Sequence, residues 1–236
     1  MDKAEAELSE SNKAKIAVYG GNGFVGTHVA EQLANRGICT VCLSRTGHKP
    51  VHLKDTDWSE SVRWCKGDAS QPDAALLSSV TTLISLVGSP PLPTLSQEAY
   101  EQQLFMNGRT NVSAINAAAE AGVKRVVVLG AKVPFPLNSD RFAYAKGKRM
   151  ALEAATAFAD LSEDHSAIVL QPGVIFGTRY LKSGKPLALG TFLKPISKIM
   201  PWQFISVEQV AARIVHAALS EEPYLGKLTI LPHSEI

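Results

Sequence analysis

Glycines near the start of the chain follow a fixed spacing, in the run Gly-Gly-Asn-Gly-Phe-Val-Gly. Gly20 or Gly21 would allow a strand to turn sharply, and Gly23 would allow the main chain to approach a phosphate. Gly26 would allow the following helix to pack closely on a sheet. Because a helix N-terminus attracts anions, the pattern predicts a cradle for the pyrophosphate of a dinucleotide. The alternative is a tight strand-to-helix turn without a ligand.

A tyrosine and a lysine four residues apart, Tyr144 and Lys148, lie in a segment with helical spacing. Residues four apart share one face of a helix. The ammonium group could then hold a nicotinamide ribose and lower the pKa of the tyrosine hydroxyl toward use as a proton donor. The two residues are candidates for catalysis and for nucleotide binding, and the alternative is a chance spacing.

The residues after the second predicted strand bear on the choice of nucleotide. An acidic residue there normally accepts hydrogen bonds from the adenosine ribose, whereas this chain has Ser44 and Arg45. A guanidinium group favours a ribose that carries a 2′-phosphate, so NADP(H) is expected in preference to NAD(H) unless Arg45 is simply solvated. After the third strand, Asp68 is placed to reach the adenine ring or, alternatively, to cap the helix after Pro72.

These residues lie within an alternation of strands and helices. Apolar runs predict strands over residues 16–19, 38–43, 62–66, 81–87, 125–129, 166–171 and 227–231. Helical spacing predicts helices after Pro72 and over residues 24–36, 95–121, 140–160 and 207–219. Such alternation predicts an α/β fold with a doubly wound parallel sheet, the NAD(P)-binding Rossmann fold.

The chain length sets the expected domain organisation. A chain of 236 residues with 45% hydrophobic residues allows one well-buried core. We expect a single Rossmann-type domain over residues 14–236, preceded by an acidic tail at residues 1–13. Residues 172–206 are rich in glycine and proline and are expected to form a loop-rich lid or interface segment, at the carboxyl ends of the strands.

Charge, cysteine and histidine content argue against several other classes of function. A net charge of +2 without a cluster of Lys and Arg gives no support to nucleic-acid binding, and no apolar run approaches the length that crosses a bilayer. Three cysteines argue against a disulfide framework, and Cys39 and Cys42 are expected to fill the core. The six histidines have no metal-ligand spacing, so no metal is expected and they are taken as surface or satisfied residues.

In combination, these motifs resemble the short-chain dehydrogenase/reductases, particularly their extended and atypical branches, over residues 14 to 220. The glycine spacing, Gly67-Asp68 and the tyrosine–lysine pair match the family's nucleotide motifs. Residues 106–111 and 119–126 are similar to its fourth helix and fifth strand, and residues 171–177 to its Pro-Gly motif. The resemblance implies that the nucleotide is bound by Gly20, Gly21, Asn22, Gly23, Phe24, Val25, Gly26, Ser44, Arg45, Asp68, Leu86, Val87, Gly88, Asn107, Tyr144, Lys148, Pro172 and Val174.

The chain departs from the family's pattern at one position that matters for catalysis. Members that catalyse carbonyl chemistry place Ser or Thr after the fifth strand, about thirteen residues before the tyrosine. This chain has Gly130 and Ala131 there, so a substrate oxygen would lose a hydrogen-bond donor. Ser139 is too close to Tyr144 in sequence to be a convincing substitute.

This departure resembles an atypical subgroup that includes the Rossmann-fold accessory subunit of mitochondrial complex I and a related coenzyme Q synthesis-associated protein. The subgroup implies a nucleotide held as a structural or sensing ligand, other protein subunits as partners and a mitochondrial location, with cytoplasm or plastid as alternatives. Residues 188–202, apolar with Lys194 and Lys198, would contact a partner or a membrane surface, or else form a lid over the nucleotide.

Three functions therefore remain open from the sequence. The first, which we favour, is a nucleotide-holding protein whose bound NADP(H) stabilises an assembly surface. The second is an active reductase, dehydrogenase or epimerase that uses Tyr144 and Lys148. The third is a sensor of the redox ratio, in which nucleotide binding changes the affinity for a partner.

Overall fold

A computed structural model describes residues 15–181, 183–188, 204–220 and 227–236 of the chain. The expected acidic tail at residues 1–13 and residues 189–202 of the expected contact segment lie outside the described residues. Among the described residues, none of the helices combines the length and the apolar character that crossing a membrane would require.

A seven-stranded parallel sheet forms the centre of the molecule. Its strands are β1 Lys15–Tyr19, β2 Cys39–Ser44, β3 Val62–Lys66, β4 Thr82–Ser85, β5 Arg125–Leu129, β6 Ser166–Gln171 and β11 Leu228–Pro232. They lie side by side in the order β11-β6-β5-β4-β1-β2-β3. The strand order reverses between β1 and β4, and such a point is where open α/β sheets bind ligands. The predicted doubly wound Rossmann fold is therefore confirmed.

Helices cover both faces of this sheet. They are α1 Phe24–Ala34, α2 Ala74–Leu77, α3 Gln97–Leu104, α4 Thr110–Glu120, α5 Ala143–Ala159 and α6 Val207–Leu219. One apolar layer lies between the sheet and α1 with α6, and a second lies between the sheet and α4 with α5. Alternate strand residues enter the two layers: Ile16 and Val18 enter the first, and Ala17 and Tyr19 the second. Both faces are thus buried, which explains the continuous apolar runs.

Short strands after β6 build a smaller structure at the carboxyl edge of the sheet. These strands are β7 Val174–Phe176, β8 Thr178–Tyr180, β9 Pro186–Ala188 and β10 Phe204–Ser206. Strand β10 pairs with β7 in parallel, and β8 pairs with β9 as an antiparallel hairpin. The sequence predicted only a loop-rich segment here, because none of these strands is longer than three residues.

The predicted long helix over residues 95–121 is interrupted. Its two halves, α3 and α4, are joined by a π-helical turn, Phe105–Arg109. The turn contains Asn107, whose side chain is fully buried. Such turns add one residue to a helical repeat and often mark functional sites. The helical spacing of residues 95–121 does not indicate this interruption.

The expectation for the cysteines is partly wrong. Cys42 is buried under α1, but Cys39 at the first position of β2 is exposed. Cys39 precedes the part of the strand that α1 covers, since the buried residues of β2 begin at Thr40. None of the described cysteines forms a disulfide.

Candidate functional site

The first turn of the site follows β1 and is shaped by glycine. Gly20 has a φ of +81°, a conformation that costs glycine little and other residues much. Its N–H donates to the carbonyl of Leu43 at 2.9 Å, and its own carbonyl accepts from the N–H of Gly23 at 2.9 Å. The sharp turn predicted for Gly20 or Gly21 is therefore made by Gly20.

Two further glycines are required because backbone and side chains approach closely. A Cβ built on Gly26 would lie 2.1 Å from the carbonyl oxygen of Gly20. One built on Gly21 would lie 2.5 Å from Sγ of Cys42, on the neighbouring strand. Neither position has room for a side chain, so α1 begins in direct contact with the turn.

Gly23 differs from these glycines, because among the described residues the only atom near a Cβ built on it is the carbonyl oxygen of Gly20, at 3.0 Å. It is the N-cap of α1, and no side chain caps the helix there. The first turn of α1 also contains no acidic residue. Within the part of the chain that the structure describes, α1 itself supplies no negative group at the positive end of its dipole, an arrangement that suits an anion such as a pyrophosphate.

Polar side chains lie close together at the end of β2. Asn22 Nδ2 donates to Thr46 Oγ1 at 3.4 Å, and the Thr46 and Ser44 hydroxyls are 3.5 Å apart. Arg45 lies between them in sequence with its side chain exposed. A cation beside two hydroxyls and an amide can bind a phosphate with charge-assisted hydrogen bonds. Thr46 was not among the predicted site residues.

Asp68 follows β3 and is exposed. Its carboxylate accepts hydrogen bonds from the Ser70 N–H at 2.9 Å and from the Ser70 hydroxyl at 2.7 Å. These two bonds, together with the nearby Arg45, hold the pKa of Asp68 below its ordinary value. Asp68 does not cap the following helix. Asp73 is the N-cap of α2, since its carboxylate accepts a hydrogen bond from the N–H of Ala75.

The residues after β4 are fixed by two buried asparagines. Asn107 accepts from the Ser89 N–H at 3.2 Å, and Asn111 donates to the Val87 carbonyl at 3.1 Å. A Cβ built on Gly88 would lie 2.8 Å from Oδ1 of Asn107. The π-helical turn and the start of α4 thus hold residues 87–89, which include Val87 and Gly88 of the predicted segment, in place. Asn111 was missed as a site residue, although it lies one helical turn after Asn107.

Tyr144 and Lys148 lie together on one face of α5, with the Lys148 ammonium 5.6 Å from the centre of the tyrosine ring. Helix α5 approaches the π-helical turn closely, because Gly108 and Gly147 face each other and a Cβ on either would lie 2.9 Å from the other segment. A Cβ built on Gly88 would lie 3.6 Å from Lys148 Nζ. The structure therefore brings Gly88, Asn107 and Lys148 to one place.

The ionisation of the two residues differs from the expectation. Burial raises the pKa of Tyr144 to about 12, the opposite direction from the lowering expected from the neighbouring ammonium. Burial also lowers the pKa of Lys148 to about 8. The Lys148 ammonium donates to the carbonyl of Leu129 at 2.7 Å. In this structure, Lys148 contacts the end of β5. The pKa of the Tyr144 hydroxyl is set by its burial.

The position of the missing hydroxyl is tightly packed. The N–H of Gly130 donates to the carbonyl of Leu170 at 2.7 Å, and a Cβ on Gly130 would lie 2.9 Å from that same oxygen. A serine side chain at Gly130 would therefore collide with β6. Ala131, the next residue, is half-buried and carries no hydroxyl.

The Pro-Gly segment follows β6 on the same edge of the sheet. Pro172 is buried, Val174 begins β7, and the N–H of Gly173 donates to Nδ1 of His233 at 3.1 Å. His233 was expected only as a surface or satisfied residue. No sequence signal could identify this contact, because it depends on the pairing of β11 with β6.

No group of three or more His, Cys, Asp or Glu side chains within the described ranges could hold a metal ion.

Comparison with known proteins identifies the family. The model of the NAD dependent epimerase/dehydratase family matches residues 16–199. An uncharacterized chloroplastic protein of Arabidopsis thaliana is 28% identical over 249 residues, covering 94% of this chain and 77% of that protein. The ceramide reductase of Caulobacter vibrioides is 29% identical over 226 residues, covering 93% and 65%. MIOREX complex component 2 of Saccharomyces cerevisiae is 33% identical over 94 residues, covering only 38% and 32%.

Solved structures share the fold. MoeE5 in complex with UDP-glucuronic acid and NAD has a TM-score of 0.68 at 22% identity, covering 93% of this chain and 76% of that one. An oxidoreductase of the short-chain dehydrogenase/reductase family from Burkholderia thailandensis has a TM-score of 0.70 at 16% identity, covering 95% and 93%. The resemblance drawn from the sequence motifs is confirmed, and the chain belongs to the NAD dependent epimerase/dehydratase family.

Proposed function

We propose that this protein holds NADP(H) in the glycine cradle as a structural or sensing ligand within a larger assembly. One observation carries the proposal. The glycine turn at residues 20–26 suits a pyrophosphate, but the residues that follow β5 have no hydroxyl that could polarise a substrate carbonyl. A Cβ on Gly130 would lie 2.9 Å from the Leu170 carbonyl oxygen, and Ala131 has no donor in its side chain. A hydrogen-bond donor aimed at a developing oxyanion commonly contributes about 10²–10³ in rate.

The polar groups after β2 support NADP(H) as the ligand. Arg45, Ser44 and Thr46 would surround a 2′-phosphate, with Asn22 donating to Thr46 from the glycine turn. NAD(H) is the second candidate, since the matching family is described as NAD dependent and the solved structure of MoeE5 is a complex with NAD. An acidic residue that would accept from an unphosphorylated ribose is missing at the end of β2.

The names of two relatives support an assembly and an organelle. The yeast relative is a component of the MIOREX complex, although it aligns with 38% of this chain, and the Arabidopsis relative is chloroplastic. We therefore infer that other protein subunits are partners and that the location is a mitochondrion or a plastid. Residues 188–202 are proposed as the partner or membrane contact, with a lid over the nucleotide as the alternative.

An active NADPH-dependent enzyme is the second candidate function. It is favoured by the placement of Tyr144 and Lys148 on one face of α5, close to Asn107 and Gly88. The name of the Caulobacter relative, a ceramide reductase, supports it as well. This function requires bound NADPH to be oxidised in the presence of a carbonyl substrate. The sensor function requires instead that the partner affinity differ between the liganded and the empty protein.

The proposal is tested by titration calorimetry with NADPH, NADP⁺, NADH and NAD⁺. NADPH is expected to bind, and Arg45→Ala is expected to weaken its binding by about 10–100-fold while NADH affinity changes little, because charged hydrogen bonds contribute about 1.5–3 kcal/mol. Gly23→Val is expected to abolish binding of all four nucleotides. Asn116→Val, on the exposed face of α4, is the control for adding a β-branched residue to a helix away from the turn.

Whether the bound nucleotide is a structural ligand or a reactant is tested by following bound NADPH by absorbance while carbonyl substrates are added. The proposal predicts tight binding with negligible oxidation. Unchanged NADPH affinity in Gly23→Val would refute the cradle. Rapid oxidation that disappears in Tyr144→Phe would instead establish the enzyme.

A further inference from the structure

The ends of three neighbouring strands stand level at the carboxyl edge of the sheet. Leu129 of β5 is paired with Leu170 of β6, and Leu170 is paired with Leu231 of β11. The residues that follow each strand are therefore brought side by side. Gly130 follows β5, the Pro-Gly segment follows β6, and His233 follows the last residue of β11, Pro232.

The Pro-Gly segment, residues 171–174, lies beside the place where Lys148 is bound. Lys148 donates to the carbonyl of Leu129, and the next residue, Gly130, donates to the carbonyl of Leu170. The Pro-Gly segment begins one residue after Leu170. The carbonyl that binds Lys148 and the start of the Pro-Gly segment thus lie on adjacent strand ends.

A side chain from the far end of the sequence fixes this segment. The N–H of Gly173 donates to Nδ1 of His233 at 3.1 Å. The preceding Pro172 has no N–H, so Gly173 supplies the first main-chain donor of the turn after β6. Strand β7 begins at Val174 and pairs with β10, which holds the other end of the segment. The segment is thus held between β10 and His233.

The geometry points to His233 as a positioning residue that sets the main chain of the Pro-Gly segment for the nicotinamide half of the bound nucleotide. This inference rests on the proposed nucleotide function and deepens it. Nδ1 must accept a hydrogen bond, which requires the neutral imidazole with its proton on Nε2. Asparagine offers a side-chain oxygen in place of Nδ1 and can accept the same hydrogen bond, whereas alanine cannot.

The two halves of the nucleotide allow a sharp test. Full NADPH contacts both ends of the site, whereas adenosine 2′,5′-bisphosphate carries only the phosphorylated adenosine end. Loss of one hydrogen bond of about 1 kcal/mol corresponds to about fivefold in affinity. We expect His233→Ala to weaken NADPH binding by about 5–10-fold with unchanged affinity for adenosine 2′,5′-bisphosphate. His233→Asn is expected to restore most of the NADPH affinity.

Amide hydrogen exchange of Gly173 provides a readout that needs no nucleotide. Its N–H should exchange faster in His233→Ala than in the wild type, and His233→Asn should restore protection. Equal loss of both ligands in His233→Ala, or no loss of either, would overturn the inference while leaving the proposed function intact. A wild-type protein that binds neither ligand would overturn the proposed function, and the inference with it.

Discussion

The ammonium group of Lys148 donates a hydrogen bond to the carbonyl oxygen of Leu129, the last residue of β5, at 2.7 Å. The lysine side chain is only 9% exposed, and its pKa is lowered to about 8 because burial disfavours the charged form. The lowering from 10.5 to about 8 corresponds to about 3 kcal/mol, which is no less than the ~1.5–3 kcal/mol that one hydrogen bond from a charged group returns. A residue retained at such a cost is expected to serve binding rather than folding.

Lys148→Met should therefore stabilise the protein and weaken nucleotide binding. We expect an increase of about 1–3 kcal/mol in the free energy of unfolding near neutral pH, or about 2–4 °C in Tm for each kcal/mol. The affinity for NADPH should fall by at least about tenfold, as for loss of a charged hydrogen bond. Urea denaturation and calorimetry measure the two effects.

The pH dependence gives the control for this prediction. Below pH 8 the lysine is charged in both the folded and the unfolded chain, so its full penalty is present. As pH rises from 8 toward the ordinary value of 10.5, the folded protein loses its proton first and the penalty is relieved. The stability difference between Lys148→Met and the wild type should shrink over this range. A stability difference that stays constant over this pH range would contradict the buried charge of Lys148 as its cause.

Gly26→Ala should destabilise the fold, whereas Gly23→Ala should not. The new Cβ at Gly26 would lie 2.1 Å from the Gly20 carbonyl oxygen and 2.7 Å from Cα of Gly21. These atoms belong to the backbone, so α1 must move away from the turn, at a cost of about 3 kcal/mol or more. At Gly23 the single neighbour lies at 3.0 Å, and the cost should stay near 1 kcal/mol or less.

Urea denaturation of the two variants measures this difference. Similar midpoints for both would show that the helix start tolerates a side chain, which contradicts the close contact between α1 and the turn. Nucleotide binding separates the roles further, because Gly23→Ala should weaken binding without a comparable loss of stability.

Several elements of this fold could be predicted to the residue, and their apolar runs explain why. Strands β3, β5 and β6 and helix α6 begin and end where the sequence placed them. Each strand is a short run bounded by a polar residue, glycine or proline. Ser206 is the N-cap of helix α6, and its side chain and that of Gln209 form a capping box.

Other features could not be predicted because they depend on contacts between distant residues. The π-helical turn accompanies contacts of Asn107 and Asn111 with the segment after β4, which the local sequence does not reveal. The bond between Gly173 and His233 exists only because β11 pairs with β6. The raised pKa of Tyr144 depends on the burial of its hydroxyl, which the sequence spacing does not reveal.

His52 should make the stability depend on pH. Its ring stacks on Tyr180 of the β8–β9 hairpin, with the ring centres 3.8 Å apart and the planes 4° from parallel. Burial, and then the nearby His28, lower the pKa of His52 below its ordinary value of 6.5. The unfolded chain therefore takes up a proton first as pH falls, so stability is lost as pH decreases through the ordinary value.

His52→Phe should remove part of this loss, since phenylalanine keeps a ring for Tyr180 and cannot be protonated. Thermal unfolding between pH ~5 and ~7 measures the effect. His48→Gln is the matched control, because His48 is exposed in the same connection between β2 and β3. Identical pH profiles for the wild type and His52→Phe would exclude His52 as the source.

Ala131→Ser tests whether the missing hydroxyl limits catalysis. With Tyr144 and Lys148 placed together on α5, a serine at this position would supply the absent donor to a substrate carbonyl. Assayed with NADPH and a panel of carbonyl compounds, the variant should oxidise NADPH faster than the wild type, by up to about 10²-fold, and adding Tyr144→Phe should cancel the gain.

Gly130→Ser is the matched variant, in which the same hydroxyl is introduced one residue earlier. Its Cβ would lie 2.9 Å from both the Leu170 carbonyl oxygen and Cγ1 of Val169, so it should lose stability and gain no activity. Because both variants introduce a serine hydroxyl at adjacent positions, a gain confined to Ala131→Ser would show that the position of the hydroxyl matters. A wild type that already turns over rapidly, with no gain in Ala131→Ser, would show that the hydroxyl is dispensable and would favour the enzyme over the nucleotide-holding protein.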